Sequence, residues 1–359
     1  MSQALRRKSG EKSWECLQNR KFNIITRESE NRLLHYLEFT HFVRQPVSCF
    51  LCNTYPQCIR RFRSLHREKT GRKRYMLREL LDNIREKAPL IQNITNYVAA
   101  NDCANITLAC GASPIMSDCK EEAEDMSRIC WGLNINMGTL NPRKAETMVL
   151  AGRCYNEKNK PVILDPVGVG ASGYRKALAA ELMKNIKFQA IKGNISEIRS
   201  LITGGTGSRG VDADLGEAVT EENLKSYIEM AQDFAKETGA VILITGAIDI
   251  AADSSRAFAV RGGHETMSRI TGCGCMLGSL LAAFEGANPE KSLEAAAAAA
   301  AAMSLCGERA CRRMVKEQAG NASCRTWLID EMYKLSGEEL EKGADYELYE
   351  KGHVVICRH

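Results

Sequence analysis

Gly272-Cys273-Gly274-Cys275 runs directly into Met276-Leu277-Gly278-Ser279-Leu280-Leu281. Two glycines in three residues let the backbone turn tightly and bring its amide N–H groups close to an anion. The apolar run behind them reads as a helix whose N-terminus adds positive partial charge at the same spot. Cys275 falls in the first helical turn, where a thiol is expected to lose its proton more easily. An acceptor group beside a phosphate being transferred suits this arrangement. With 15 cysteines and 28 glycines in the chain, the cluster alone carries little weight, so its neighbours decide.

Those neighbours are polar residues placed at the ends of apolar runs. Val162-Ile163-Leu164 leads into Asp165-Pro166-Val167-Gly168, and the run 188–191 leads into Lys192-Gly193-Asn194 with Glu197 three residues on. The run 241–244 leads into Thr245-Gly246. Asp165 and Glu197 are the residue types that hold Mg²⁺, a hard cation bound by one or two carboxylates, waters and substrate phosphates. As ordinary structure they are solvated or capping carboxylates. Lys192 can neutralise a polyphosphate, or be one more surface lysine. Thr245 and Gly246 can offer a hydroxyl and close backbone approach to a nucleotide, or simply end a strand. Asp249 can assist them or cap a turn. Phosphoryl transfer through a loose transition state asks mainly for positioning and charge neutralisation, so a weak base such as cysteine suffices. The glycine-rich stretch 204–210 lacks the lysine followed by Ser or Thr that a P-loop requires, and the protein-kinase signatures are missing too.

These motifs need a scaffold that gathers them. Short β-branched runs at 133–137, 162–164, 188–191 and 241–244 alternate with helical stretches, notably 142–156 and 222–236. Asn141-Pro142 supplies an N-cap followed by proline at the first helical position. Strands alternating with helices predict an α/β fold with a mostly parallel sheet covered on both faces. In such a sheet every strand C-end lies along one edge, where ligands bind. The alanine run 295–302 reads as tightly packed core helix.

At 359 residues, 44% apolar and 26% charged, the chain has the composition of a soluble globular protein. It shows no membrane-length apolar stretch and no signal-peptide segment. A cytoplasmic location with reduced cysteines is expected. Charge is uneven: residues 1–75 hold 17 Lys and Arg against 6 Asp and Glu, a net +11 in a chain of +5, so residues 76–359 carry −6. Cys49, Cys52, Cys58 and His66 lack the second half of a zinc signature. A helical period is discernible in this segment only near 28–42. The division expected is a basic, poorly ordered extension or over-extended reading frame at 1–75, an enzyme domain at 76–340 and a C-terminal tail at 341–359.

From Met76 to the 330s the chain resembles the hydroxyethylthiazole kinase family. Six ordered stretches carry the likeness: Gln92-Asn93-Ile94-Thr95-Asn96-Tyr97-Val98, Gly111-Ala112-Ser113-Pro114-Ile115-Met116-Ser117, Asn136-Met137-Gly138-Thr139, Asp165-Pro166-Val167-Gly168, Lys192-Gly193-Asn194 and Gly272-Cys273-Gly274-Cys275. The resemblance implies a ribokinase-like fold and ATP-dependent phosphorylation of the hydroxyl of 4-methyl-5-(2-hydroxyethyl)thiazole in thiamine salvage. It implies Cys275 where many ribokinase-like enzymes have an aspartate base, with an anion hole at Cys273 and Gly274. It further implies ATP contacts at Lys192 and Thr245, thiazole contacts at Met116, Gly272 and Asn96, and Mg²⁺-side acids at Asp165 and Glu197. A homotrimer with sites at subunit boundaries follows from the same likeness. Lys192 stands where the family often has arginine, and Cys273 where threonine is common. The alternatives are a related kinase of hydroxymethylpyrimidine or another small alcohol, and a nucleic-acid-binding protein working through the basic segment. Of these, a nucleic-acid or membrane partner is not expected.

Overall fold

The computed structural model describes residues 77–204 and 218–350, together with the backbone of 353–355. The extension 1–75, Met76 and the polar loop 205–217 lie outside the described residues. The chain opens with α1 (Leu77–Lys87), whose Leu77, Leu80, Leu81 and Ile84 are buried at helical spacing. There follow β1 (Leu90–Ile94), α2 (Ala100–Cys110), β2 (Ser113–Met116), α3 (Ala123–Ile129), β3 (Gly132–Asn136) and α4 (Pro142–Glu157). Next come β4 (Val162–Asp165), α5 (Gly173–Asn185), β5 (Ala190–Asn194), α6 (Ile195–Gly204), α7 (Leu224–Thr238) and β6 (Val241–Thr245). An antiparallel segment, β7 (Asp249–Ala252) and β8 (Arg256–Arg261), precedes the helical α8 (Cys273–Ala287), α9 (Ser292–Lys316), α10 (Asn321–Lys334) and α11 (Gly337–Gly343). The described chain ends in β9 (Asp345–Glu350) and β10 (His353–Val355).

All ten strands form one sheet in the order β10-β9-β8-β7-β6-β5-β4-β3-β1-β2. From β2 to β6 every pairing is parallel, whereas β6 through β10 pair antiparallel. The α/β architecture expected from the alternating runs is therefore present, with an antiparallel extension on one side. Asn141 caps α4 through its side chain, accepting from Lys144 N, with Pro142 in the first turn. Residues 345–350, expected in a C-terminal tail, instead form a strand paired along its whole length with β8.

The core lies in two layers, and β4 shows why. Ile163 packs in one layer with Leu280, Leu281, Phe284 and the α9 alanines, while Val162 and Leu164 pack in the other with Ile135, Leu178 and Ile242. This is the two-residue period of a strand covered on both faces. Helix α8 is buried at every residue from Met276 to Ala287, so it crosses the interior rather than the surface. Ala295–Ala302 are buried too, as the reading of that run as core requires. Among the described residues no helix is long and apolar enough to cross a membrane.

Candidate active site

Parallel pairing puts the C-terminal ends of β1 to β6 on one edge of the sheet, and α8 starts above that edge. Gly272 caps α8 in the left-handed region, at φ +81°. A Cβ there would stand 2.8 Å from Ala99 Cβ, so the position demands glycine twice over. Gly278 lets the same helix lie directly on the sheet, since its Cβ would meet Asp165 Oδ2 at 3.2 Å and Asn134 Oδ1 at 3.3 Å.

A closed ring of hydrogen bonds ties this helix start to β3, β4 and β5. Lys192 Nζ, from the middle of β5, donates to Asp165 Oδ1 (3.1 Å) and to the Gly274 carbonyl (3.0 Å). Asn136 Nδ2, at the end of β3, donates to Asp165 Oδ2 (2.7 Å). Asn96 Nδ2 donates both to Asn136 Oδ1 (2.9 Å) and to Cys275 Sγ (3.2 Å). The ring thus leaves α8 at Gly274 and returns to it at Cys275. The structure brings Asp165, Lys192, Gly274 and Cys275 together as the strand-end argument anticipated, and joins Asn96, named through the resemblance, to the same ring.

Charge in this ring is set by burial. Asp165 is 0% and Lys192 4% exposed. Desolvation pushes the Asp165 carboxyl up to about 6, against the pull of Lys192 and Asn136. Burial alone would lower the Lys192 ammonium, but Asp165, Glu197 and the Cys275 thiol outweigh it and hold the ammonium above its ordinary value. Cys275 corrects an expectation. Its thiol is raised, not lowered, because burial and the Asp165 charge exceed the help from Lys192 and the two asparagine amides.

Cys273 also departs from its expected place. Its N–H donates to the Ile270 carbonyl at 3.2 Å, which takes that amide out of an anion hole. The Met276 N–H is bonded to Gly272 O. Among the described residues the Gly274 and Cys275 N–H groups have no backbone acceptor, the usual state of first-turn amides. The first-turn amides left without a backbone acceptor are thus those of Gly274 and Cys275. The Cys273 thiol is pushed up to about 12 by burial.

Lys192 was expected against a nucleotide phosphate; its ammonium is instead turned inward onto Asp165 and Gly274. Glu197 is half-buried, accepting from Gly168 N through Oε1 (3.0 Å) and from Asn194 N through Oε2 (2.9 Å). Each oxygen keeps a lone pair, so this carboxylate fits a hard cation. Asp165 fits less well as a direct ligand, being fully enclosed with both oxygens engaged. No cluster of three His, Cys, Asp or Glu side chains suited to a metal occurs among the described residues. Thr245 stands half-buried at the end of β6, opposite Asn194 of β5. Asp249 caps the turn after it, accepting from Gly246 N at 2.9 Å. Met116 is 41% exposed at the end of the edge strand β2. It sits three strands from Asp165, about 14 Å at the usual strand spacing. A cleft of about 280 Å³ is lined by Asp118 and Cys119 of the loop after β2 and by Asn141, Arg143 and Lys144 at the start of α4.

Two contributors escaped the reading of the sequence. Arg175 Nη1 donates to the Val167 carbonyl (2.6 Å) and to the Met137 carbonyl, holding together the loops that follow β4 and β3. Asn136 links Asp165 to Asn96. The available signal was its setting in Leu133-Asn134-Ile135-Asn136, where polar side chains recur inside a buried strand and must find partners there.

The fold agrees with comparisons to known proteins. Residues 81–338 match the model of the hydroxyethylthiazole kinase family. The chain is 52% identical over 274 residues to a hydroxyethylthiazole kinase of Clostridium acetobutylicum, covering 76% of this chain and 100% of the relative. It is 43% identical over 274 residues to that of Desulfovibrio desulfuricans, with 74% and 96% covered. Among solved structures, a hydroxyethylthiazole kinase protein from Pyrococcus horikoshii OT3 superposes with a TM-score of 0.67 at 32% identity, over 76% of this chain and 99% of that one. A match of this length in sequence and in fold leaves one assignment: the chain belongs to the hydroxyethylthiazole kinase family.

Proposed function

We propose that this protein transfers the γ-phosphoryl group of ATP to the hydroxyl of 4-methyl-5-(2-hydroxyethyl)thiazole, as a thiamine-salvage enzyme of the cytoplasm. The observation that carries the reading is the clasped start of α8, where unpaired amides and a partly exposed thiol stand side by side. The Gly274 and Cys275 N–H groups, reinforced by the helix dipole, receive the phosphoryl oxygens as charge builds on them. Cys275 Sγ takes the hydrogen bond of the substrate hydroxyl and holds its oxygen in line with phosphorus. Because the transition state is loose, removing the hydroxyl proton is not the costly step, so a thiol with a raised pKa is adequate.

Thr245 lies toward the nucleotide, and Asn96 and Gly272 toward the alcohol. Glu197 is the residue that would hold Mg²⁺, with waters and the phosphates of ATP, while Asp165 contributes charge from behind. The cation would neutralise phosphate charge. Met116 completes a thiazole site at a subunit boundary of a homotrimer. Support for that boundary comes from large apolar side chains left open near the sheet edge, Tyr97 at 78% and Val98 at 57% exposure.

The test is ATP consumption by purified protein against a panel of alcohols. Hydroxyethylthiazole is expected to stimulate turnover well above hydroxymethylpyrimidine, and Cys275→Ala to slow it by two orders of magnitude or about that. Preference for the pyrimidine would overturn the substrate. Full activity in the variant would remove Cys275 from its role.

A further inference from the structure

The direction of every hydrogen bond in the ring can be read, because two backbone amides fix it. Gly138 N donates to Asn136 Oδ1 at 2.9 Å, so the Asn136 amide nitrogen must face Asp165. Ala99 N donates to Asn96 Oδ1 at 2.9 Å, so the Asn96 amide nitrogen must face Asn136 Oδ1 and Cys275 Sγ. Neither amide can flip without setting an N–H against a backbone N–H, and both side chains are buried, where such a clash has no water to relieve it. Gly138 is itself confined, since a Cβ there would stand 2.7 Å from Asn96 Cβ and 2.9 Å from Asn136 Oδ1.

We propose that Asn136 is a positioning residue for Cys275: it holds Asp165 on one side and aims the Asn96 amide at Sγ on the other, so that the sulfur at the helix start always receives a hydrogen bond. An N–H donated to sulfur favours the electron-rich form of the thiol and leaves any S–H free to turn toward the open side. The inference rests on Cys275 standing at the reacting centre. It adds a residue that touches neither phosphate nor alcohol. The charged and titratable groups facing Cys275 are Asp165 from β4, Lys192 from β5, Cys103 from α2 and Cys273 from the same helix. Asn136 contacts the carboxylate in that set and so controls where its charge sits.

Cys275 reactivity tests this without relying on turnover. The full chain is treated with iodoacetamide between pH 6 and 10, and carbamidomethylation of the Cys275 peptide is followed by mass spectrometry. Cys119, on the loop after β2, serves as an internal control. N136D keeps the acceptor for Gly138 and Asn96 but sets a second carboxylate against Asp165. It is expected to slow Cys275 alkylation at pH 8 about tenfold, the effect of one pKa unit, with Cys119 unchanged. N136A introduces no charge and is the variant read if N136D does not melt cooperatively; about threefold slowing is expected. In the kinase assay, kcat falls while KM for the thiazole alcohol stays within about twofold. The proposal is overturned if the Cys275 profile of whichever variant folds superimposes on that of the parent. If the parent itself shows no thiazole-dependent turnover, the functional reading fails while the alkylation profile still decides the role of Asn136.

Discussion

A lysine ammonium at 4% exposure survives in a protein interior only when opposite charge and hydrogen bonds replace its lost water. Lys192 has both, in Asp165 Oδ1 at 3.1 Å and Gly274 O at 3.0 Å. Gly274 owes its identity partly to this contact, since a Cβ there would stand 3.2 Å from Nζ. Removing the cation leaves a fully buried carboxylate with only the Asn136 amide to support it. Lys192→Met is therefore expected to destabilise the protein by about 3–5 kcal/mol, the usual cost of breaking a buried pair from one side. Adding Asp165→Asn removes the stranded charge, so the double variant should be more stable than the sum of the two single losses. Urea denaturation of the three variants measures this, and strict additivity would show that the pair does not interact.

At the scale of elements, α8 carries the site at its first turn and a second buried acid near its other end. Burial pushes the Glu285 carboxyl up to about 8; Ser292 Oγ, which donates to Oε1 at 2.7 Å, opposes this. The folded protein therefore holds a proton on Glu285 that the unfolded chain releases near pH 4.5. Stability from this group is fully present below pH 4.5 and lost as pH rises through 8. Glu285→Gln keeps the shape and cannot ionise, so the variant should gain on the parent by a few kcal/mol between pH 5 and pH 9, on the order of 1.4 per pKa unit. Thermal melts across that range check the sign; parallel curves for the two proteins would contradict it. How much of α8 and its surroundings could be read beforehand follows from the forces involved. The parallel strands β3, β4 and β6 were legible because β-branched runs ended in polar motifs, and α4 because Asn141-Pro142 signals a helix start. The segment Asp249–Ala252 was not, since two alanines and a capping aspartate carry no clear strand period. For the candidate site, sequence order placed Asp165, Lys192 and Cys275 at one edge. It could not tell that Lys192 turns inward or that burial raises the Cys275 thiol, because both depend on α8 crossing the interior.

For the whole molecule, the division of charge and the extent of the likeness point the same way. The family model begins at residue 81, and the Clostridium acetobutylicum relative is covered completely by 274 residues of this chain. Within the described residues, α1 already closes the core against α8 and α11, burying Leu77, Leu80, Leu81 and Ile84. A chain beginning at Met76 is therefore expected to keep thiazole-dependent ATP consumption within about twofold and an unchanged urea midpoint. Its electrostatics should invert, because removing residues 1–75 changes the net charge from +5 to −6. At low salt the full chain is expected to bind a cation exchanger and, weakly, any polyanion, with affinity falling as salt rises, whereas the shortened chain flows through. Loss of turnover or of the cooperative melt on shortening would instead make the basic segment part of the enzyme. Equal RNA binding by both chains would place the polyanion contact on the −6 domain, where its charge balance opposes it.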